Sequence, residues 1–135
     1  MVIRYAYLWS HENNRGIEEG GKDRPCAVLL AVLDDTGVRK VVVLPITHTP
    51  PQDPAEAIEI PPATKRRLKL DDERSWIVLA EANRFTWPGP DLRPIKSGDR
   101  TTILYGELPG DLFRKVRERW LALAAARRSI VSRTE

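Results

Sequence analysis

The sequence predicts a mainly β, α+β domain: a small, strongly bent antiparallel barrel or sheet with a C-terminal amphipathic helix laid on it. Three observations carry this. Two apolar runs, 26–33 and 38–46, flank Asp34-Asp35-Thr36-Gly37, the chemistry of a β-hairpin turn. The other apolar or alternating segments are short, and no long helices alternate with them, which disfavours a parallel α/β sheet. Only over 111–126 do apolar residues recur at helical spacing.

In chain order, residues 2–9 (VIRYAYLW) read as a strand rich in aromatic and β-branched side chains. Residues 10–24 are polar, contain three glycines and form a long loop, a length that in compact domains tends to carry function. The hairpin follows. Three prolines in 47–55 exclude a central strand there. Residues 56–60 alternate as a short strand, 64–70 hold one or two helical turns, and 75–81 (SWIVLAE) read as one strand buried on both faces. Residues 88–94 and 96–100 read as loop, flanking a short extended piece. In the terminal helix Leu112, Phe113, Val116, Trp120, Leu123 and Ala124 fall within roughly 120° of a helical wheel. Asp111 near its start and Arg127-Arg128 near its end suit the helix dipole. Trp76 and Trp120 are assigned to the core. The domain is expected to span 1–128, with 129–135 a flexible tail.

Composition narrows the function. The chain has 135 residues, 41% apolar and 30% charged, which excludes a disordered segment. Its longest apolar run, Cys26 to Leu33, has eight residues, against about 20 for a membrane-spanning helix. The N-terminal residues lack the apolar stretch of a secretory signal. One cysteine and two histidines exclude an internal disulfide and disfavour a Cys/His zinc site. A cytoplasmic protein without metal or cofactor is the expectation.

Charge is unevenly spread. Residues 1–62 carry 6 Lys+Arg and 9 Asp+Glu, a net of −3, whereas 63–135 carry 16 and 10, a net of +6. A basic half suits a polyanion; a solvated basic surface is the other reading.

The nucleophile and phosphate-loop templates G-x-S-x-G, G-x-x-x-x-G-K-[ST] and H-E-x-x-H are absent. Cys26 lies inside an apolar run and reads as a buried structural thiol. Two loop–strand junctions remain. Lys22-Asp23-Arg24-Pro25 enters the first hairpin strand, and Pro45-Ile46-Thr47-His48-Thr49 leaves the second. In an antiparallel hairpin the entry of one strand lies beside the exit of the other, so Arg24 and Thr47 share one rim. A guanidinium fork and a hydroxyl converging there suit a phosphodiester. Arginine cannot easily act as a general base, so His48 and Glu18 are the titrating candidates. Strand alternation counts against His48 if β structure runs through it. His11 reads as a solvated loop residue, and Phe85 and Trp87 beside Arg84 as core or as base-stacking aromatics.

These parts resemble the MazF/PemK family of toxins from bacterial toxin–antitoxin pairs. The carrying residues are Trp9, Gly16-Ile17-Glu18-Glu19-Gly20-Gly21, Arg24-Pro25 and Pro45-Ile46-Thr47. They continue with Ser75, Glu81 and Arg84 in SWIVLAEANR, then Gly106-Glu107-Leu108 ahead of the terminal helix. The likeness runs from about residue 5 to residue 125. The chain departs from the pattern at Arg4-Tyr5-Ala6-Tyr7, where the family has Gly-Asp, and in a longer, proline-rich 88–103. The resemblance implies an SH3-like barrel, a homodimer, an antitoxin partner and a metal-independent endoribonuclease. That enzyme would cleave single-stranded RNA by attack of the ribose 2′-hydroxyl on the adjacent phosphate. The family's R-P arginine and P-x-T threonine map onto Arg24 and Thr47. The candidate set is Arg24, Thr47, His48 and Glu18 for catalysis, and Lys22, Thr49, Glu81 and Arg84 for RNA binding. The alternatives are a non-cleaving RNA-binding barrel and a gyrase-poisoning relative; the latter depends on a Trp near the C-terminus, which residues 128–135 lack.

Overall fold

The computed structural model of the protein describes residues 1–11, 23–97, 100–123 and 129–133. Strands β1 (Val2–Tyr5), β2 (Arg24–Leu33), β3 (Arg39–Thr47), β6 (Glu81–Thr86), β9 (Leu104–Gly106) and β10 (Ser129–Ser132) lie in one sheet in the order β10-β6-β3-β2-β1-β9. β5 (Trp76–Val78) pairs with the far end of β3, and β4 (Ala57–Glu59) pairs with β5. β7 (Ile95–Ser97) and β8 (Arg100–Thr102) make a separate two-stranded hairpin. A 3-10 turn (Pro54–Glu56), helix α1 (Pro62–Arg67) and helix α2 (Gly110–Ala122) complete the described elements. The pairings are antiparallel except β10 on β6, which is parallel. No helix among the described residues is long and apolar enough to cross a membrane.

The β2–β3 hairpin closes as its sequence predicts. Asp34 Oδ1 accepts from the Thr36 and Val38 amides, each at 2.9 Å, and from Thr36 Oγ1 at 2.6 Å. Gly37 takes φ +83°, a left-handed backbone that glycine adopts without steric cost.

β3 is the spine. Residues 40–43 pair with β6, while Ile46 and Thr47 pair with β5. Successive side chains point to opposite faces of a strand, so the sheet buries two apolar clusters. Val2, Ala27, Leu29, Leu44, Ile46 and Ala82 join the cluster covered by α2 through Val116, Trp120 and Leu123. Ile3, Tyr5, Cys26, Val41, Val43 and Phe85 join the other, with Tyr7 and the flanking Trp9 and Trp87. The predicted apolar face of the terminal helix meets the core as expected: Val116 and Trp120 are buried, and Leu112 and Phe113 pack on the cluster's edge. Ala124 lies outside the described residues. Trp76 and Trp120 are both buried.

Three expectations are corrected. The chain breaks between β5 and β6 at Leu79-Ala80, so 75–81 is not one strand; Leu79 turns fully into the core while its amide bonds the Glu56 carbonyl at 2.7 Å. Lys96, Ser97 and Arg100, read from the sequence as loop, belong to strands: Ile95–Ser97 pair with Arg100–Thr102. Most importantly, 129–135 is not simply a tail. Ser129–Ser132 pair with Glu81–Arg84, and Arg133 is buried behind them. Its guanidinium donates to the Ala6 carbonyl at 2.7 Å and Asn83 Oδ1 at 3.0 Å, and pairs with Asp91 Oδ2 at 3.0 Å. Asn83 in turn bonds both the amide and the carbonyl of Leu8. A buried charge needs such full pairing, and the pairing pins the chain segment leading to Trp9.

Candidate functional site

β2 begins at Arg24 and β3 ends at Thr47. Pro25 follows Arg24, and its ring keeps the preceding residue in extended backbone. Cys26 stands opposite Pro45 in the hairpin; carried two residues on, that register sets Arg24 opposite Thr47. The half-buried Arg24 side chain lies over the Trp9 indole, 4.8 Å from the ring centroid. Tyr7 meets the same indole edge-on at 5.1 Å.

Arg24 is under-satisfied. Its Nη1 reaches the Ile46 carbonyl only at 3.4 Å, and its Nε is buried without a hydrogen-bond partner. Among the described residues no carboxylate pairs with it. The adjacent Asp23, which lines one of the hollows beside Arg24, pairs instead with Arg4 at 3.6 Å and Arg93 at 3.4 Å. A partly desolvated guanidinium with unmet donors is a receptor for an anion. Thr47 Oγ accepts the Thr49 amide at 3.2 Å, which leaves the hydroxyl hydrogen to donate.

Arg24 and Thr47 form the saddle between two hollows. One is lined further by His48, Asp71, Ser75 and Tyr105. The other is lined further by Trp9, His11, Thr49 and Val78. The structure therefore brings Arg24, Thr47, His48 and Thr49 together, and adds Trp9 and His11.

His48 is engaged elsewhere. Its Nε2 lies 2.7 Å from Asp71 Oδ2 and its Nδ1 lies 3.1 Å from Glu73 Oε2. Both ring nitrogens are thus taken by carboxylates. Asp71 also pairs with the buried Lys65 ammonium at 2.7 Å. Burial works to raise the Asp71 carboxyl, but Lys65 and His48 outweigh it and hold the group below its usual range. His48, Asp71 and Glu73 have the donor types of a metal site within 4.8 Å of one another. The Lys65 ammonium already supplies the positive charge there.

Glu81 and Arg84, expected to contact RNA, line neither of these hollows. Glu81 is turned inward, where it accepts from Tyr7 Oη at 3.1 Å and the Ser10 amide at 3.0 Å. Burial pushes its carboxyl above the ordinary range, against the pull of the Ser10 amide, the Tyr7 hydroxyl and the His11 charge. Glu81 thus holds the Tyr7 side chain before Trp9 and the Ser10 amide after it. Arg84 is exposed and donates to Ser132 Oγ on β10 at 2.7 Å. Phe85 is buried against Tyr5, ring centroids 4.7 Å apart. Glu18 and Lys22 lie outside the described residues. Burial pushes the Cys26 thiol up, which keeps it an inert structural group.

Sequence reasoning missed three supports: the Trp9 stack on Arg24, the Glu81 bonds to Tyr7 and Ser10, and the Lys65–Asp71–His48–Glu73 cluster. Only an acidic residue closing an otherwise apolar run hinted at the second. No protein-family model, no curated protein and no solved structure matches the chain.

Proposed function

We propose that this protein is a metal-independent endoribonuclease of the toxin type, built on an SH3-like barrel and acting on single-stranded RNA. The observation that carries the reading is the unpaired Arg24 guanidinium, stacked on Trp9 and set across from the Thr47 hydroxyl. The motif likeness to MazF and PemK toxins supports the same assignment. From that likeness come two further parts of the proposal: a homodimer, and an antitoxin protein that covers the groove.

In the reaction, the ribose 2′-oxygen bonds to the adjacent phosphorus as its proton leaves, and the P–O5′ bond breaks. The products are a 2′,3′-cyclic phosphate and a 5′-hydroxyl. Negative charge builds on the phosphoryl oxygens in the transition state. A fixed guanidinium stabilises it without reorganisation, an effect of about 2.7–4 kcal/mol for a comparable oxyanion-hole donor. Thr47 donates to the same phosphate and fixes its orientation. The Trp9 ring, 4.8 Å from the guanidinium, steadies it beside the groove that both residues line.

The test is digestion of a long single-stranded RNA by the purified protein, with end-group analysis, in EDTA and without it. The proposal expects cyclic phosphate ends in both. Intact RNA that is nonetheless retained by the protein would instead favour a non-cleaving binder.

A further inference from the structure

The chemistry just proposed needs a group to take the 2′-hydroxyl proton. Arg24 is always protonated and Thr47 is not basic. His48 is turned to other partners: its Nε2 hydrogen-bonds Asp71 and its Nδ1 lies 3.1 Å from Glu73 Oε2. Tyr7 is buried, and its hydroxyl is pushed far up by that burial and by Glu81.

His11 differs from each of these. It is exposed and lines the same hollow as Arg24, Thr47 and Thr49. Its ring lies 6.5 Å from that of Trp9 and 19° from parallel, so Trp9 aligns His11 as well as Arg24. Among the described residues, no hydrogen bond or ion pair holds its ring nitrogens. We propose that His11 is the proton-transfer residue of this site, taking the 2′-hydroxyl proton of the nucleotide whose phosphate Arg24 and Thr47 hold. The assignment rests on the ribonuclease reading above.

The step balances as follows. The 2′-oxygen forms its bond to phosphorus while its proton passes to a neutral His11 nitrogen. The P–O5′ bond breaks, and the 5′-oxygen leaves with the electron pair and takes a proton from water. The imidazolium then returns its proton to solvent. Histidine titrates in the range where a base must be free and still able to bind a proton. The charged groups facing His11 are Glu81, from β6, and Arg24, from β2. Thr47 at the end of β3, Thr49 just beyond it and Val78 on β5 complete the lining; none of them changes charge near neutrality.

The experiment compares wild type, His11→Ala and Arg24→Ala on one RNA across pH 5–9, with and without added imidazole. Because His11 is exposed, the alanine variant is expected to fold normally, checked by its urea midpoint. The expected result for His11→Ala is a fall in kcat of about 10²–10⁴-fold with KM little changed. Loss of the basic-form limb of the pH–rate profile and partial recovery with imidazole should accompany it, while imidazole does nothing for Arg24→Ala. Wild-type kcat in His11→Ala, or a deficit confined to KM, overturns the His11 assignment and leaves the ribonuclease reading standing. A kcat deficit with the pH limb retained and no imidazole recovery also overturns it. Wild-type protein that yields no cyclic phosphate overturns both.

Discussion

The Arg24 guanidinium lies 4.8 Å from the centre of the Trp9 indole, and Trp9 is itself held edge-on by Tyr7. The stack fixes the plane of a charged group that makes one long hydrogen bond of its own. Cation–π contacts are worth about 0.5–2 kcal/mol depending on desolvation. Trp9→Leu should therefore lower kcat for RNA cleavage by roughly 3–30-fold, with a smaller change in KM. Arg24→Lys should rescue little, because an ammonium offers neither the plane nor the fork. Steady-state kinetics on a short RNA reads both.

Glu81 makes a second prediction, through pH. Its folded carboxyl sits above the ordinary range because of burial. The folded state therefore holds the proton more tightly than the unfolded chain does. Wild-type stability must then fall, relative to Glu81→Gln, as pH rises from the ordinary carboxylate value through the raised one. Urea midpoints of the two proteins at pH 4 and pH 8 check the sign. A gap that is constant across this range contradicts it.

The Arg133 cluster predicts a structural role for the last strand. Removing one partner of a buried ion pair costs about 3–5 kcal/mol. Arg133→Ala removes one partner each from Asp91, Asn83 and the Ala6 carbonyl. The variant, or a chain truncated before Ser129, should lose stability on that order in urea unfolding. A truncated chain with a wild-type midpoint would mean that β10 is dispensable.

The Lys65–Asp71 pair gives a prediction of opposite pH sense. Asp71→Asn leaves a buried ammonium with the Glu73 carbonyl as its remaining partner. A lost charged hydrogen bond corresponds to about 1.5–3 kcal/mol. Because the Asp71 carboxyl is held below its usual range, its stabilisation is present above the ordinary carboxylate value. That stabilisation is lost as pH falls through the lowered one. The difference between the two proteins should shrink in strong acid.

Local signals in the sequence were enough for the hairpin and for α2. Asp34 and Gly37 specify a turn by their own chemistry, and Val116, Trp120 and Leu123 specify a face by their spacing. The meeting of Arg24 and Thr47 was legible for a related reason: antiparallel register carries it once the hairpin is known. β10 was not legible. Its SIVS segment is short, buries one apolar side chain, Val131, and owes its place to an arginine bonded to residues about 40 to 130 positions away. The capture of His48 by Asp71 and Glu73 was hidden likewise, since those carboxylates come from the turn after α1. Glu81 was assigned to the groove by the family resemblance; the Ser10 amide and the Tyr7 hydroxyl draw it inward.

The most direct test of the account is cleavage of one RNA made in two forms, all-ribose and with a single 2′-deoxy nucleotide at the mapped cut site, by wild type and Arg24→Ala. The account predicts that wild type cuts the ribose form to a 2′,3′-cyclic phosphate and spares the deoxy linkage. It predicts that folded Arg24→Ala loses about 10²–10³-fold in rate. Equal cutting by Arg24→Ala, or cutting at the deoxy linkage, contradicts it.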